Sequence, residues 1–267
     1  SINGIFLCTG PTGSGKTTTL YALLHQLKQR ERAIVTIEDP VEYQVDGIAQ
    51  MQVDERHGLT FAEGLKAMLR LDPDYLMLGE VRDKSSARVA ADASIAGRVL
   101  MSTLHSRDAV GTVTALRNWG LTDHEIAVSL SVVVSQRLVR RLCPKCATVQ
   151  APSDAARRWL ESLDLAAPAE CWGPVGCAHC RETGYFGCTG VFEVWRLDEQ
   201  DYEWILQGID EHALRSRLTQ KHHQPLLVDA LSKAHAGTTS LEELRTLGDV
   251  VAPPAEAVPW QRASVTS

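Results

Sequence analysis

The sequence predicts an α/β protein built on a parallel sheet with a phosphate-binding loop, followed by a four-cysteine metal module and a small α-rich extension. Three observations carry this prediction. Short apolar runs alternate with helical patterns up to His105, which is typical of a parallel sheet. A glycine-rich segment that ends in Lys and Thr follows the first apolar run. Two C-x₂-C pairs lie further along the chain.

Residues 10–17 fit the pattern G-x-x-x-x-G-K-[ST] at every fixed position. A buried strand is predicted before them, over residues 5–8, and a helix after them, over residues 18–27. The glycines allow backbone N–H groups to approach an anion, and the dipole of the helix favours negative charge there. Lys16 is expected to reach the β- and γ-phosphates, and the Thr17 hydroxyl to bind Mg²⁺. The predicted nucleotide-binding residues are Gly10, Pro11, Thr12, Gly13, Ser14, Gly15, Lys16, Thr17 and Thr18.

Composition narrows the class of protein. The 267 residues suffice for one large domain or two smaller ones, and 44% hydrophobic residues is ordinary for a globular chain. The sequence has neither an apolar run near the ~20 residues of a membrane span nor a signal-peptide pattern, so we expect a cytoplasmic protein. A formal net charge of -6 weakens a nucleic-acid-binding interpretation. Because Ser1 lies so close to the first predicted strand, we also expect a fragment whose upstream part is missing.

Acidic residues follow two further predicted strands. Glu38 and Asp39 come directly after residues 33–37, and Glu80 follows residues 75–78 and a glycine. Ligand groups in α/β sheets lie at the carboxyl ends of strands, so these carboxylates are candidates to hold a metal ion or a water. Glycine stands where a Walker B motif usually has its Mg²⁺-binding aspartate, which leaves Glu80 as the candidate to orient the attacking water. The alternative is that all three are solvated surface carboxylates.

The remaining elements of the core follow from periodicity. We predict a strand over residues 47–53, helices over 60–70 and 85–96, and a strand over 99–101. His105 follows that last strand, and a histidine there is by default a structural residue. Because phosphate-binding and acidic groups are predicted at the same edge, we expect it instead to sense the γ-phosphate.

A capping box, Thr122-x-x-Glu125, predicts a helix whose apolar part runs over residues 126–139. The basic residues near its end suit a helix C-terminus, and an exposed basic patch for a partner is the alternative. These basic residues are Arg137, Arg140 and Arg141.

The two C-x₂-C pairs are separated by a 30-residue insert, which is predicted to hold a short helix. Four thiolates at this spacing predict a structural Zn²⁺ site with no open coordination position. The candidate ligands are Cys143, Cys146, Cys177 and Cys180. Unliganded thiols are the alternative, and Cys171 and Cys188 lie close enough in sequence to compete as ligands. Cys8, inside the first strand, is predicted to be a core residue.

These patterns divide the chain into four parts. We expect an ATPase core over residues 1–140, the tetracysteine zinc module over 141–190 and an α-rich extension over 191–249. Residues 250–267 are rich in proline, alanine and small polar residues, and we predict a disordered tail there.

The motifs together resemble one family closely, the secretion-ATPase superfamily, and within it the type II secretion and type IV pilus-assembly ATPases. The likeness covers about residues 3–247. Residues 10–21 resemble its Walker A, 36–43 its aspartate box, 72–83 its Walker B with the glycine included, 102–105 its histidine box, and 136–138 with the four cysteines, 184–185 and 190–193 its zinc module. Leu71 and Cys188 depart from the residues usual in the family, as does the Ala-Gly-Arg triplet at 96–98.

The resemblance implies a RecA-like core that hydrolyses Mg·ATP within a homo-hexameric ring. It also implies peripheral association with the inner membrane through platform proteins, where the motor drives pseudopilin or pilin polymerisation, with no nucleic acid as partner. Residues 38–43 favour type II secretion. Arg56, Arg70 and Arg82 lie in segments that resemble those supplying phosphate-facing or interface arginines, and the sequence does not assign which of them acts across a subunit interface.

Two other functions stay open at this point. A nucleic-acid-dependent RecA-like translocase with a zinc module would show ATPase stimulation by DNA or RNA with strong salt dependence. A nucleotide-binding assembly module would bind nucleotide with little turnover.

Overall fold

A computed structural model describes residues 3–29, 32–248, 253 and 257–260. The chain folds into two compact units, each of which is made of two stretches of sequence. The first unit comprises Ser1–Ser135 and Val194–Lys221, and the second comprises Gln136–Glu193 and His222–Ser267. The range 191–249, predicted as an α-rich extension, has residues in both units.

Among the described residues, seven strands form the larger sheet: β1 (Gly4–Thr9), β2 (Ile34–Glu38), β3 (Ala49–Gln52), β4 (Tyr75–Leu78), β5 (Val99–Leu104), β6 (Leu130–Leu142) and β9 (Tyr185–Arg196). Their order is β3-β2-β4-β5-β1-β6-β9. Strands β1 to β5 belong to the first unit, and β6 and β9 each have residues in both units. All the neighbouring strands from β3 to β6 pair in parallel, as the sequence predicts. Central positions such as Leu7, Leu76 and Leu100 are fully buried, each worth about 1.5–3 kcal/mol of hydrophobic free energy.

Several helices of the first unit begin at a residue whose side chain caps them. Thr60 caps the helix that buries Phe61, Leu65 and Met68, and Asp83 caps the next one in a capping box. No helix among the described residues is long and apolar enough to cross a membrane. The helices are α1 (Lys16–Lys28), α2 (Phe61–Leu69), α3 (Lys84–Ile95), α4 (Gly111–Asn118), α5 (Asp123–Ser129), α7 (Glu199–Leu206) and α8 (Glu211–Gln220).

The prediction of a helix over residues 126–139 is wrong from Leu130 onward. The capping box of Thr122 and Glu125 opens α5 as predicted, but α5 ends at Ser129 and β6 begins at Leu130. Val132, Val133 and Val134 pair in parallel with β1, and β-branched residues suit this pleated, buried position. The basic residues 137, 140 and 141 therefore lie on a strand, not at a helix C-terminus.

The second unit holds the four cysteines and a smaller apolar core. Its elements outside the long strands are β7 (Thr148–Gln150), α6 (Asp154–Glu161), β8 (Cys171–Gly173), α9 (Leu226–His235) and α10 (Leu241–Leu244), and β7 pairs antiparallel with β8. Leu160, Val191 and Leu231 are fully buried in this core. The short helix predicted in the cysteine insert is confirmed as α6, with Ser153 as its cap.

The predicted disordered tail lies largely outside the described residues. Within it, Val258 is fully buried in the core of the second unit. The Trp260 indole N–H donates a hydrogen bond to the Ala166 carbonyl at 2.8 Å. Two apolar side chains of this stretch thus contact other described residues, and disorder of the tail as a whole stays a prediction.

Candidate functional site

Four strand ends of the first unit meet at one edge of the sheet. Strands β2, β4, β5 and β1 are consecutive neighbours and run parallel, so their carboxyl ends lie side by side. Residues 10–17 follow β1, and His105 follows β5. Glu38 ends β2, while Glu80 follows β4 after one glycine. The sheet thus brings together the four groups that the sequence singled out.

Residues 10–17, which we call the phosphate-binding loop after their predicted role, have a backbone that suits an anion. Gly13 and Gly15 have φ angles of 77° and 84°, in the left-handed region that favours glycine. Gly15 is the N-cap of α1 and makes no side-chain capping bond, which leaves the first turn facing the loop. Lys16 is 8% exposed, and its ammonium group donates to the carbonyls of Gly10 and Pro11, both at 2.9 Å. Thr17 and Thr18 are exposed at the start of the helix.

Glu38 is held by three protein donors. The Tyr21 phenol donates to its Oε2, and Oε1 accepts from Thr36 Oγ1 at 2.6 Å and Gln50 Nε2 at 3.1 Å. Its side chain is 2% exposed. Burial, together with the hydrogen bond to Glu38, raises the pKa of Tyr21 to about 12. Both carboxylate oxygens of Glu38 are therefore engaged inside the protein, which differs from the open metal ligand that the sequence suggested.

Gly79 stands between two strands where a side chain would be crowded. A Cβ at this position would lie 3.3 Å from the Cα of Glu38 and 3.4 Å from the Ile37 carbonyl oxygen. The Gly79 N–H donates to that same carbonyl at 2.8 Å, and the Thr103 hydroxyl donates to the Gly79 carbonyl at 2.8 Å. The close approach of β2 thus favours glycine over a larger residue such as aspartate at this position.

Arg82 pairs with the carboxylates of three described residues near this edge, Asp39, Glu55 and Glu80. Its guanidinium lies 3.4 Å from an Asp39 carboxylate oxygen and 3.7 Å from a Glu80 oxygen, and it also pairs with Glu55. It lies over the Phe61 ring at 4.9 Å. The carboxylates of Asp39 and Glu80 remain partly exposed, at 43% and 34%, so both can meet a ligand at the sheet edge.

His105 begins a loop that is tied to β1. We call residues 105–110 the histidine loop. The Ser106 N–H donates to the Thr9 hydroxyl at 3.0 Å, and the Ser106 hydroxyl donates to the Asp108 carbonyl at 2.8 Å. His105 itself is exposed. Because Thr9 directly precedes residue 10, the histidine loop and the phosphate-binding loop share an anchor.

Sequence reasoning missed Tyr21, Gln50, Thr9 and Ser106 as parts of this site. Tyr21 lies four residues after Thr17, at a spacing that places both on neighbouring turns of α1. That spacing was the available signal for Tyr21. The partners of Thr9 and Gln50 lie on other strands, and sequence spacing does not reveal them. Arg56 and Arg70 are exposed, and neither contributes a described contact to this edge.

The four predicted zinc ligands form a cluster in the second unit. All four sulfur atoms lie within 4.8 Å of one another. Three sulfur pairs are 3.8–3.9 Å apart, close to the edge of about 3.8 Å that a tetrahedron with Zn–S bonds of about 2.3 Å requires. Backbone N–H groups of Gly176, Cys177 and Gly184 donate to cysteine sulfurs at 3.2–3.4 Å. Such donors stabilise thiolates, so the cluster fits a Zn²⁺ ion.

The other cysteines lie elsewhere. Cys171 is in β8 and Cys188 is in β9, and neither belongs to the cluster found among the described residues. The proposal that they compete as ligands is therefore wrong in this fold. Cys8 is fully buried in β1, as predicted, and burial raises its pKa to about 12.

Comparison with known proteins gives matches over most of the chain. A family model described as "Type II/IV secretion system protein" matches residues 1–246. The type II secretion system protein E of Aeromonas hydrophila is 44% identical over 242 residues, which are 91% of this chain and 48% of that protein. The type IV pilus assembly ATPase TfpB of Acinetobacter baylyi is 41% identical over 246 residues, covering 91% of this chain and 42% of that protein. The chain thus spans about half the length of the curated relatives it matches.

Solved structures share the fold. The pilus retraction motor PilT with bound ADP aligns with a TM-score of 0.68 at 23% identity, covering 92% of this chain and 61% of that one. The ATPase DotB of Legionella pneumophila aligns with a TM-score of 0.66 at 22% identity, covering 92% and 60%. The predicted P-loop ATPase core is therefore confirmed as a fold.

Proposed function

Because the chain belongs to the family of type II/IV secretion system proteins, we propose that it is the motor domain of an ATPase that drives pseudopilus or pilus assembly. We favour type II secretion among these systems. The relatives named above include both a secretion protein and a pilus assembly ATPase. The preference for secretion rests on the residues at positions 38–43.

One observation carries the proposal of ATP hydrolysis. The phosphate-binding loop, the Asp39 and Glu80 carboxylates and His105 follow adjacent parallel strands at one sheet edge. This edge is where α/β folds bind their ligands, and it combines a cradle for phosphate with acids able to order a metal ion and a water.

The phosphate-binding loop would hold the nucleotide. Backbone N–H groups of residues 13–17 would face its phosphates, and Lys16 would turn from the carbonyls of Gly10 and Pro11 toward them. The Thr17 hydroxyl would bind Mg²⁺, which supplies charge neutralisation at the phosphates. A loop with glycines at positive φ and an uncapped helix start fits such a ligand.

Glu80 would orient the attacking water, because its partly exposed carboxylate lies at the strand end beside the loop. Arg82 keeps it in place together with Asp39. The partly exposed Asp39 carboxylate would complete the ligand shell of the Mg²⁺ ion. Glu38 would instead fix the end of β2 through its buried hydrogen bonds. His105 would report the presence of the γ-phosphate.

The four cysteines would hold a structural Zn²⁺ ion. Four sulfur ligands leave no coordination position for a substrate, so the ion would stabilise the second unit. The four-part division of the chain stays a proposal in this form: a nucleotide-binding core, a zinc module, an α-rich extension and a tail.

The whole protein would work as a homo-hexamer in the cytoplasm, peripheral to the inner membrane through platform proteins. Its acidic charge and the family argue against nucleic acid as partner.

The experiment is the steady-state ATPase rate of the full-length protein. It is measured alone, with anionic-lipid vesicles carrying the inner-membrane platform protein, and with DNA or RNA. Lys16→Ala, which lacks the phosphate-binding ammonium, serves as the inactive reference.

Stimulation by vesicles and platform protein that Lys16→Ala lacks would support the secretion motor. Stimulation by nucleic acid with a steep loss at higher salt would assign a translocase instead. Binding of Mg·ATP without turnover in every condition would leave only an assembly module.

A further inference from the structure

The histidine loop is fixed by a buried ion pair from a distant helix. Asp108 is 7% exposed, and Arg215 of α8 reaches it with two nitrogens, at 2.8 Å and 3.2 Å from its two carboxylate oxygens. The Gly111 N–H donates to Asp108 at 2.9 Å. Burial raises the pKa of Asp108, but the hydrogen bonds from Arg215 and the Gly111 N–H, together with the charges of Arg215 and Arg107, outweigh it and hold the pKa below its usual value. Asp108 is therefore a carboxylate with a fixed orientation.

Arg215 lies on a helix, α8, that packs against the core of the first unit. The flanking residues Leu214 and Leu218 of α8 are buried in the core of the first unit. Glu211, one turn earlier, accepts from Arg215 at 2.9 Å and from the Thr114 hydroxyl of α4 at 2.9 Å. The guanidinium is thus held by a second carboxylate as well, and its position is set by two helices.

The other end of this chain of contacts is the anchor of the phosphate-binding loop. The Asp108 carbonyl accepts from Ser106, whose N–H donates to the Thr9 hydroxyl. The contacts therefore run from Arg215 through Asp108 and Ser106 to Thr9, the residue before the loop. His105 is the exposed residue at the start of this bonded segment.

We propose that Arg215 is a positioning residue for nucleotide turnover, which holds Asp108 and thereby sets the histidine loop against the end of β1. This inference rests on the proposed function, because it names how that site is kept in register. The pair is largely buried, with 21% of the Arg215 side chain and 10% of the Asp108 side chain exposed, and such a pair gains little net stability over an apolar pair because its charges are mostly desolvated. Its effect is to fix geometry, and misplacement of a reacting group by about 1 Å can cost on the order of a hundredfold in rate.

The test compares Arg215→Gln with the conservative Arg215→Lys in the full-length protein. Arg217→Gln is the matched control, because Arg217 lies on the same helix and its guanidinium lies over the Trp204 ring at 5.4 Å. Asp108→Asn removes the charge from the other side and serves where Arg215→Gln does not fold. Each variant is measured for circular dichroism, equilibrium binding of Mg·ADP and steady-state ATP turnover.

For Arg215→Gln we expect turnover to fall about tenfold or more, while the Kd for Mg·ADP changes less than about twofold. Arg215→Lys should recover part of the rate, and Arg217→Gln should stay near the unmodified protein. Where the unmodified protein hydrolyses ATP, a folded Arg215→Gln protein with turnover near that of the unmodified protein would overturn the inference. Parallel loss of ADP binding and turnover would also overturn it, since that is the signature of a merely structural residue.

Hydrogen exchange separates this inference from the proposed function. In the unmodified protein, Mg·ADP should slow exchange of the amides of residues 105–110, and Arg215→Gln should abolish that protection. Mg·ADP could protect these amides in the unmodified protein but not in Arg215→Gln, while the unmodified protein never hydrolyses ATP. In that case the proposed motor function fails, and the positioning of the histidine loop by Arg215 stands. Equal protection in both proteins would refute the positioning role.

Discussion

The phenol of Tyr21 donates a hydrogen bond to the carboxylate of Glu38, which is buried at the end of β2. Helix α1 follows the phosphate-binding loop directly, so this contact joins that helix to the neighbouring acidic strand end. It also explains why Glu38 differs from Asp39. Both carboxylate oxygens of Glu38 accept hydrogen bonds within the protein, whereas the Asp39 carboxylate remains partly exposed.

Removing this donor should destabilise the first unit. Tyr21→Phe leaves a buried carboxylate with one partner fewer, and we expect a loss of about 1–3 kcal/mol in the free energy of unfolding. Tyr43→Phe is the control, because Tyr43 is 51% exposed and its ring lies 4.4 Å from that of Tyr21. Urea unfolding measures both. Equal stability of the two variants would contradict the account of Glu38.

The cysteine cluster predicts a metal content. The protein should carry about one Zn²⁺ per chain, and Cys177→Ser should lose it and melt at a lower temperature. Cys188→Ser is the matched control, since Cys188 is exposed and outside the cluster. Elemental analysis of the purified proteins gives the stoichiometry. Zinc retained in Cys177→Ser, or lost equally in Cys188→Ser, would refute the ligand set.

The cap of α3 predicts a pH-dependent contribution to stability. The Ser86 N–H donates to the Asp83 carboxylate at 2.7 Å, and this bond, against the opposing effect of burial, lowers the pKa of Asp83. A depressed carboxyl pKa means that the stabilisation is full above the unfolded value, about 3.9, and is lost as the pH falls through the folded value. Asp83→Ala should cost about 1 kcal/mol at pH 7.

That cost should shrink only when unfolding is measured below about pH 3.9, as the pH falls toward the folded pKa of Asp83. Asp83→Asn keeps a capping side chain and should lose less than Asp83→Ala. Asp92→Ala, an exposed position in the same helix, controls for a general effect of charge. A cost for Asp83→Ala that does not change between pH 7 and the acid range would show that the cap does not depend on the ionised carboxylate.

Local signals predicted much of the fold and the site. The loop pattern at 10–17, the acids after β2 and β4, and the paired cysteines are each written within a few neighbouring residues. The parallel sheet then brings the strand ends together without further information. The helix predicted over residues that form β6 is wrong because a long-range contact, and not a local signal, decides their conformation. A capping box truly opens α5, but pairing with β1, more than a hundred residues earlier, decides the conformation of the chain after Ser129.

Side-chain pairs between distant positions could not be predicted from the sequence either. Arg215 and Asp108 are separated by 107 positions, and neither belongs to a motif that predicts its partner. The range 191–249 appeared as one extension because its helices follow one another. In the structure, α7 and α8 belong to the first unit and α9 and α10 to the second, since their apolar faces are buried in different cores.

Glu80 is the residue proposed to orient the water for ATP hydrolysis. The most direct test of this role is Glu80→Gln, which keeps the shape of the side chain and removes its charge. We expect Mg·ATP binding to stay within about threefold and the steady-state turnover to fall about a hundredfold or more. The control is Glu55→Gln, because Glu55 is another carboxylate paired with Arg82 but follows a different strand.

The decisive measurement is the ATP turnover rate of Glu80→Gln, read beside its nucleotide affinity. Retained binding with turnover lost in Glu80→Gln but not in Glu55→Gln is the result expected if Glu80 orients the water. Turnover in Glu80→Gln equal to that of the unmodified protein would contradict the assignment of Glu80.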